Sequence, residues 1–351
     1  MSDSYSNPMG TDGFEVVEFA APDPAELERL FARLGFTAVA RHRRRDVVLY
    51  RQGEINFLLN REPGSFAADF AAKHGPSACG FGMRVKDAAR AHRLALEKGA
   101  KPVAQKADTL ALDTPSIEGI GGSVLYLVDR YGWSSVYARD YERIDGADPN
   151  PRGVGLSFLD HLTHNVERGN MNVWAGYYER LFNFREVRYF DIKGEYTGLF
   201  SRAMTSPDGK VRIPINESAD DKSQIQEYLD QYHGEGIQHI ALYTPDIYTT
   251  VEALRANGVA FMDVPDTYYD MVDERIPQHG EDLERMRANR ILIDADSELR
   301  SRQLLQIFTQ TCIGPIFFEI IQRKGNEGFG EGNFRALFES IERDQQRRGV
   351  I

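Results

Sequence analysis

Cysteine is scarce in this sequence: its 351 residues include two, Cys79 and Cys312, one in each half. Two thiols do not make a disulfide framework, which points to a reducing, cytoplasmic setting. No apolar run approaches the roughly 20 residues of a membrane span, and the N-terminal MSDSYSNPMGTDG lacks the apolar stretch of a secretory signal. Positive charge is also in deficit. A formal net charge of −11 argues against a nucleic-acid or anionic-membrane partner. The one dense basic cluster, Arg41 to Arg45, reads as a solvated turn between a helix and a strand. A dinucleotide fingerprint is missing as well: GFGEG, Gly328 to Gly332, has the wrong spacing and opens no βαβ unit.

What remains is ordinary globular composition, 42% hydrophobic and 27% charged, in a chain long enough for two domains with their own cores. FEVVEFAAP (Phe14–Pro22) reads as a strand, and Asp23 caps a helix that stops at Gly35. Two strands flank a Gln52-Gly53 turn within Val47–Asn60. SACGFGMRV is another strand, Asp87 to Lys98 another helix ending at Gly99, and SVLYLVDRYG a last strand. The second half repeats this order. Asp246 and Gly258 bracket a helix at the same offset as Asp87 and Gly99, and EIIQRKG lies over YLVDRYG. FEVVEF lies over LSFLDH, and INFLLN over RIPIN, with Asn60 opposite Asn216.

The pattern predicts an α+β chain with a flexible leader over 1–13 and an N-terminal domain over 14–144. A polar linker follows at 145–153 (DGADPNPRG), then a C-terminal domain over 154–351. The two homologous domains are built of βαβββ modules, with mixed curled sheets and outer helices. A C-terminal helix over 333–347, with Phe334, Leu337, Phe338 and Ile341 on one face, is expected to act as a lid.

Three polar residues stand alone on apolar strands of the second half: His161 in LSFLDHLTHNV, His239 in GIQHIALY and Glu319 in GPIFFEIIQ. An acid inside such a run is hard to bury as an anion unless a cation compensates it. On the repeat alignment their counterparts are Phe19, Gly80 and Tyr126, none of them a ligand. One site in the C-terminal half follows. Two imidazoles and a carboxylate with other positions open suit non-haem Fe(II) and oxygen chemistry, whereas structural zinc favours four ligands and thiolates. His164, three residues after His161, falls on the opposite strand face and is read as structural or as a partner to a ligand. The amides Asn216, Gln224, Gln238 and Gln306 and the hydroxyl of Ser201 lie near these ligands in sequence. Gln306 sits in a strand that looks buried, where an amide needs partners. Phe308, Phe329 and Phe334 can form an aromatic slot.

LDHLTHNV, RIPINE, SQIQEYL, GIQHIAL, LLQIFT and FFEIIQRKGNEGFGEGNF together resemble the 4-hydroxyphenylpyruvate dioxygenase family of the vicinal oxygen chelate superfamily, densely from about Leu156 onward. The resemblance implies Fe(II) on His161, His239 and Glu319, and 4-hydroxyphenylpyruvate and O2 as substrates. It implies oxidative decarboxylation, ring hydroxylation and side-chain migration to homogentisate, a step of tyrosine catabolism. It further implies catalytic roles for Gln238, Gln306, Asn216 and Ser201. Substrate contacts are implied for Gln224, Pro214, Phe308, Phe329, Asn333 and Phe334, and a homo-oligomer, dimer or tetramer. Rival readings are 4-hydroxymandelate synthase, an extradiol catechol dioxygenase and a non-catalytic binder. Pro214, Asn216 and Phe308 favour ring hydroxylation over the first, and the SQIQEY and GFGEGNF segments argue against the second.

Overall fold

A computed structural model describes residues 5–103, 110–132, 135–193, 198–296, 299, 301–333, 345, 346 and 349. Phe334 and most of the expected lid helix lie outside the described residues.

The first sheet contains β1 (Phe14–Ala20), β2 (Thr37–His42), β3 (Val47–Gln52), β4 (Ile55–Asn60), β5 (Ser77–Arg84), β6 (Ser116–Glu118), β7 (Val124–Val128) and β8 (Tyr141–Arg143). Its order is β6-β7-β5-β1-β4-β3-β2-β8. The second contains β9 (Phe158–Val166), β10 (Arg185–Lys193), β11 (Gly198–Thr205), β12 (Arg212–Ser218), β13 (Gly236–Tyr243), β14 (Leu292–Ala295), β15 (Gln303–Phe308) and β16 (Phe317–Lys324). Its order is β10-β11-β12-β9-β13-β16-β15-β14. Each module starts with a strand that pairs in parallel with its last strand, β9 with β12 and β13 with β16. The crossover that such parallel pairing needs is the helix after the first strand. The two first strands, β9 and β13, then pair antiparallel and join the modules edge to edge. In the first domain β8 pairs with β2 at the far edge.

Helices begin where the sequence supplies caps. Asp23, Asp87 and Asp246 each accept a first-turn backbone N–H of α1 (Pro24–Arg33), α3 (Ala88–Glu97) and α7 (Ile247–Ala256). Others of the described helices are α2 (Phe66–His74), α4 (Val136–Asp140), α5 (Met171–Phe182) and α6 (Gln224–Tyr232).

The two domains share one apolar cluster. Phe19, Phe57 and Phe81 belong to it together with Leu162, Ile240 and Phe318, and the rings of Phe57 and Phe318 stack across the boundary at 6.0 Å. Because strand side chains alternate, the opposite faces turn into the two curls. In the first domain that interior is filled by Val16, Leu49, Leu58, Tyr126 and the residues Leu110 to Leu112. From residue 5 the leader is built into the molecule. Met9 is buried, Thr11 donates to Asp208, and Lys210 pairs with Asp12. Residues of the 145–153 stretch are also anchored, through Arg51 to the Pro149 carbonyl and Gly53 N–H to that of Pro151.

Candidate metal centre

Strand register builds the centre. Ala241 on β13 pairs with His161 on β9 at one side and with Glu319 on β16 at the other. Those three residues form one row, and paired residues face the same way. His239 lies two residues back on β13, on the same face. A methyl group at Ala241 leaves the histidine and the carboxylate free to converge. His161 Nε2 is 3.2 Å from Glu319 Oε2, His239 Nε2 is 3.4 Å from the same oxygen, and the two Nε2 atoms are 3.4 Å apart. All three side chains are buried. One donor atom from each, mutually within 4.8 Å, is a set that one small metal ion can bind at ordinary bond lengths of about 2.0–2.2 Å. The donor set of two imidazoles and a carboxylate fits Fe(II).

Two β-bulges orient the imidazoles. Between β9 and β13 the register skips Asp160 on one strand and Gln238 on the other. Each skipped residue stands next to a ligand and bonds its ring. Asp160 Oδ1 is 2.8 Å from His161 Nδ1, and Gln238 Oε1 is 3.0 Å from His239 Nδ1. An oxygen at Nδ1 holds the proton there, so the Nε2 lone pair faces the centre.

Charge in the cluster is balanced locally. Burial would raise the Glu319 carboxyl, but the His161 ring beside it prevails and brings it down to about 2. His161 is depressed by burial and raised more strongly by Glu319 and Asp160, while burial wins at His239 and lowers it. Burial also works against the Asp160 anion, and Arg323 overcomes it, holding that carboxyl far below the usual range.

The surrounding cavity is lined by His161, His239, Glu319, Thr163, Phe190, Ser201, Pro214, Gln306, Phe308 and Phe329 and has about 20 Å³ of free space. Phe317 stacks on His239 at 4.9 Å, and Phe329 stands edge-on to His161 at 5.7 Å. Gln306 Nε2 donates to Glu319 Oε1 at 2.6 Å, which leaves Oε2 for the metal side. Asn333 donates to Gln306 Oε1 at 3.0 Å and accepts from the Tyr268 hydroxyl. Asn216 donates to Gln238 and Asn165, both at 3.3 Å.

Comparisons with known proteins give the family. Residues 5–142 match the family model described as hydroxyphenylpyruvate dioxygenase, N-terminal, and residues 158–272 match the glyoxalase/bleomycin resistance protein/dioxygenase superfamily. A 4-hydroxyphenylpyruvate dioxygenase of Pseudomonas aeruginosa is 61% identical, over 98% of this chain and 97% of its own. Hemolysin VllY of Vibrio vulnificus is 60% identical, over 98% of each chain. The chain belongs to the 4-hydroxyphenylpyruvate dioxygenase family. Among solved structures, a mutant 4-hydroxymandelate synthase from Streptomyces coelicolor superposes with a TM-score of 0.82 at 25% identity, covering 96% of this chain and all of that one.

Of the residues singled out in sequence, the cavity of this dioxygenase-family chain brings together the three candidate ligands with Ser201, Pro214, Gln306, Phe308 and Phe329. Asn216, Gln238 and Asn333 stand one hydrogen bond behind that wall. Gln224 opens α6, half-buried, and is not in the wall. His164 is turned away, its Nε2 2.7 Å from the Tyr178 hydroxyl, and burial lowers it to about 3.

The repeat alignment needs one correction. Val16 pairs with Gly82, and Gly82 with Tyr126, as His161 pairs with Ala241 and Ala241 with Glu319. The counterpart of His161 is thus Val16, and Phe19 corresponds to His164. Gly80 and Tyr126 stay opposite His239 and Glu319. The alignment slipped by three because both strands are apolar with one acid, and an odd slip reverses the face. Sequence reasoning also missed Thr163, Phe190 and Asp160. Thr163 was accessible from the period of two after His161, whereas Asp160 reaches the site only through the bulge.

Proposed function

We propose that this chain converts 4-hydroxyphenylpyruvate and O2 to homogentisate and CO2, with Fe(II) held by His161, His239 and Glu319. The observation that carries the reading is the convergence of these three buried donors on one cavity whose remaining wall joins Phe190, Phe308, Phe329 and Pro214 to the polar Thr163, Ser201 and Gln306. When bound, Fe(II) supplies the site for a 2-oxo acid and for oxygen activation. The 2-oxo acid provides two electrons as it loses CO2, so no further redox cofactor is required.

The chain's own residues have separate tasks. Gln306 fixes which carboxylate oxygen of Glu319 faces the ion, and Asn333 in turn holds Gln306. Asp160 and Gln238 set the imidazole tautomers. Phe190, Pro214, Phe308 and Phe329 enclose the ring and exclude water from reactive species. Ser201 faces the same space and can bond the phenol hydroxyl, with Asn216 paired opposite it on β12. Residues 14–144 serve as the metal-free domain and 154–351 as the catalytic one. The protein works in the cytoplasm as a homo-oligomer, dimer or tetramer, which light scattering measures.

The test is anaerobic loading with Fe(II) and 4-hydroxyphenylpyruvate, then air and product chromatography. Homogentisate is expected. 4-Hydroxymandelate, or an unchanged substrate with stoichiometric iron, would reject the assignment.

A further inference from the structure

Behind His161, away from the cavity, lies a buried ion pair with more contacts than orienting one ring requires. Arg323 donates Nε and Nη2 to the two oxygens of Asp160, both at 2.7 Å. Its Nη1 donates to the carbonyls of Asn326 at 3.1 Å and Gly328 at 2.6 Å. Arg212 reaches Asp160 Oδ2 at 3.3 Å with one nitrogen and Glu327 at 2.5 Å with another. The carboxylate that orients a ligand is thus held by two arginines, and both also hold the loop over 325–330.

That loop is anchored at its other end to a second ligand. Gln306 Nε2, bonded to Glu319, lies 3.4 Å from the Phe329 carbonyl. Gly330 has φ of +70°, and a Cβ there would come within 2.1 Å of Gln306 Oε1. Between the two anchors sits Phe329, edge-on to His161. A planar guanidinium with five donors can serve a carboxylate and two carbonyls at once; an ammonium has neither the reach nor the geometry. The first domain supplies a comparison. Glu15, at the bulge equivalent to Asp160, pairs with Arg84 at 2.6 Å, but its neighbour is Val16 and no ligand is there to orient.

We infer that Arg323 is a positioning residue that couples the setting of the His161 ring to the seating of the 325–330 loop, so that metal loading and loop closure favour each other. The inference rests on the metal centre proposed above. Coupling of this kind is reciprocal: whatever loosens the loop anchor weakens the metal, and the metal tightens the loop.

The experiment uses the full chain, stripped of metal and titrated anaerobically with Co(II) alone, with hydrogen exchange read at the amides of 325–332. In the parent, Co(II) should slow exchange of these amides several-fold. In Arg323→Gln that protection should vanish and Co(II) should bind about 10- to 100-fold more weakly, the range for loss of a partner to a ligand. Asp160→Asn removes no loop contact, yet it should reduce both readouts, and it serves as the test should Arg323→Gln fail to fold. Protection by Co(II) that persists in a folded variant, or weaker Co(II) binding with loop exchange unchanged, would overturn the coupling. Neither measurement needs turnover. A parent that binds Co(II), protects the loop and makes no homogentisate would sink the proposed reaction and leave this inference standing.

Discussion

Three ligands and one buried acid can be tested residue by residue. Replacing His161, His239 or Glu319 with Ala should abolish stoichiometric metal and lower turnover on the order of a thousandfold, a loss of several kcal/mol; metal analysis alongside product formation checks both. Phe308→Ile should loosen the ring, since a displacement of about 1 Å is enough to slow or redirect the reaction. Product chromatography then reads 4-hydroxymandelate against homogentisate, and an unchanged product at full rate would free Phe308 of that role. In the first domain Glu18 occupies the position of Thr163. Its carboxyl is fully buried, 2.6 Å from the Tyr126 hydroxyl and 2.7 Å from Asn60 Nδ2, and burial raises it. A folded-state value above the unfolded one means that the native state binds the extra proton. Stability from this group is therefore complete below about pH 4.5 and is lost as pH rises through the folded value. Glu18→Gln should flatten that decline, so urea midpoints at pH 5 and pH 8 should lie closer together than in the parent. Metal content should not change. The isolated histidines and the acid were legible because polar residues stand out on apolar strands. The bonds to Asp160 and Gln238 were not, because alternation places neighbours on opposite faces and only a bulge reverses this.

At the level of elements, the site depends on a small residue, Ala241 on β13, in the row between His161 on β9 and Glu319 on β16. Ala241→Leu would place a larger side chain between His161 and Glu319. It should cost about 1–3 kcal/mol through overpacking and reduce metal affinity, with the helices intact by circular dichroism. Normal iron content in a folded Ala241→Leu protein would contradict the row described here. The βαβββ order was disclosed by hydrophobic patterning and helix caps, whereas the strand order and the edge-to-edge joining are set by the ladders. The slip at β1 came from the same patterning. Two apolar strands of similar composition can be aligned at several registers, and only the ladder with β5 selects one.

For the whole molecule, a ligand that binds only the native state must stabilise it. At a free Co(II) or Fe(II) concentration about 100 times the dissociation constant, the gain is about 2.7 kcal/mol. Anaerobic melting should show this shift in the parent, show none in His161→Ala, and reverse with chelator. The N-terminal domain enters through the shared core, where Phe57 meets Phe318 one residue from a ligand. Cutting that contact with Phe57→Ala should therefore lower stability by roughly 3–5 kcal/mol without touching a ligand.

The sequence by itself determined the class of fold, the duplication and which three polar residues stand alone on apolar strands, because each is written in residue type and spacing. Tertiary structure decided the rest through register and bulges. It put Val16 opposite His161, brought Asp160 to the imidazole, filled the first curl with Glu18 and Tyr126, and left Gln224 outside the wall. Such contacts depend on which rung of a ladder each residue occupies, and alternating apolar strands are compatible with more than one rung until their neighbours are in place.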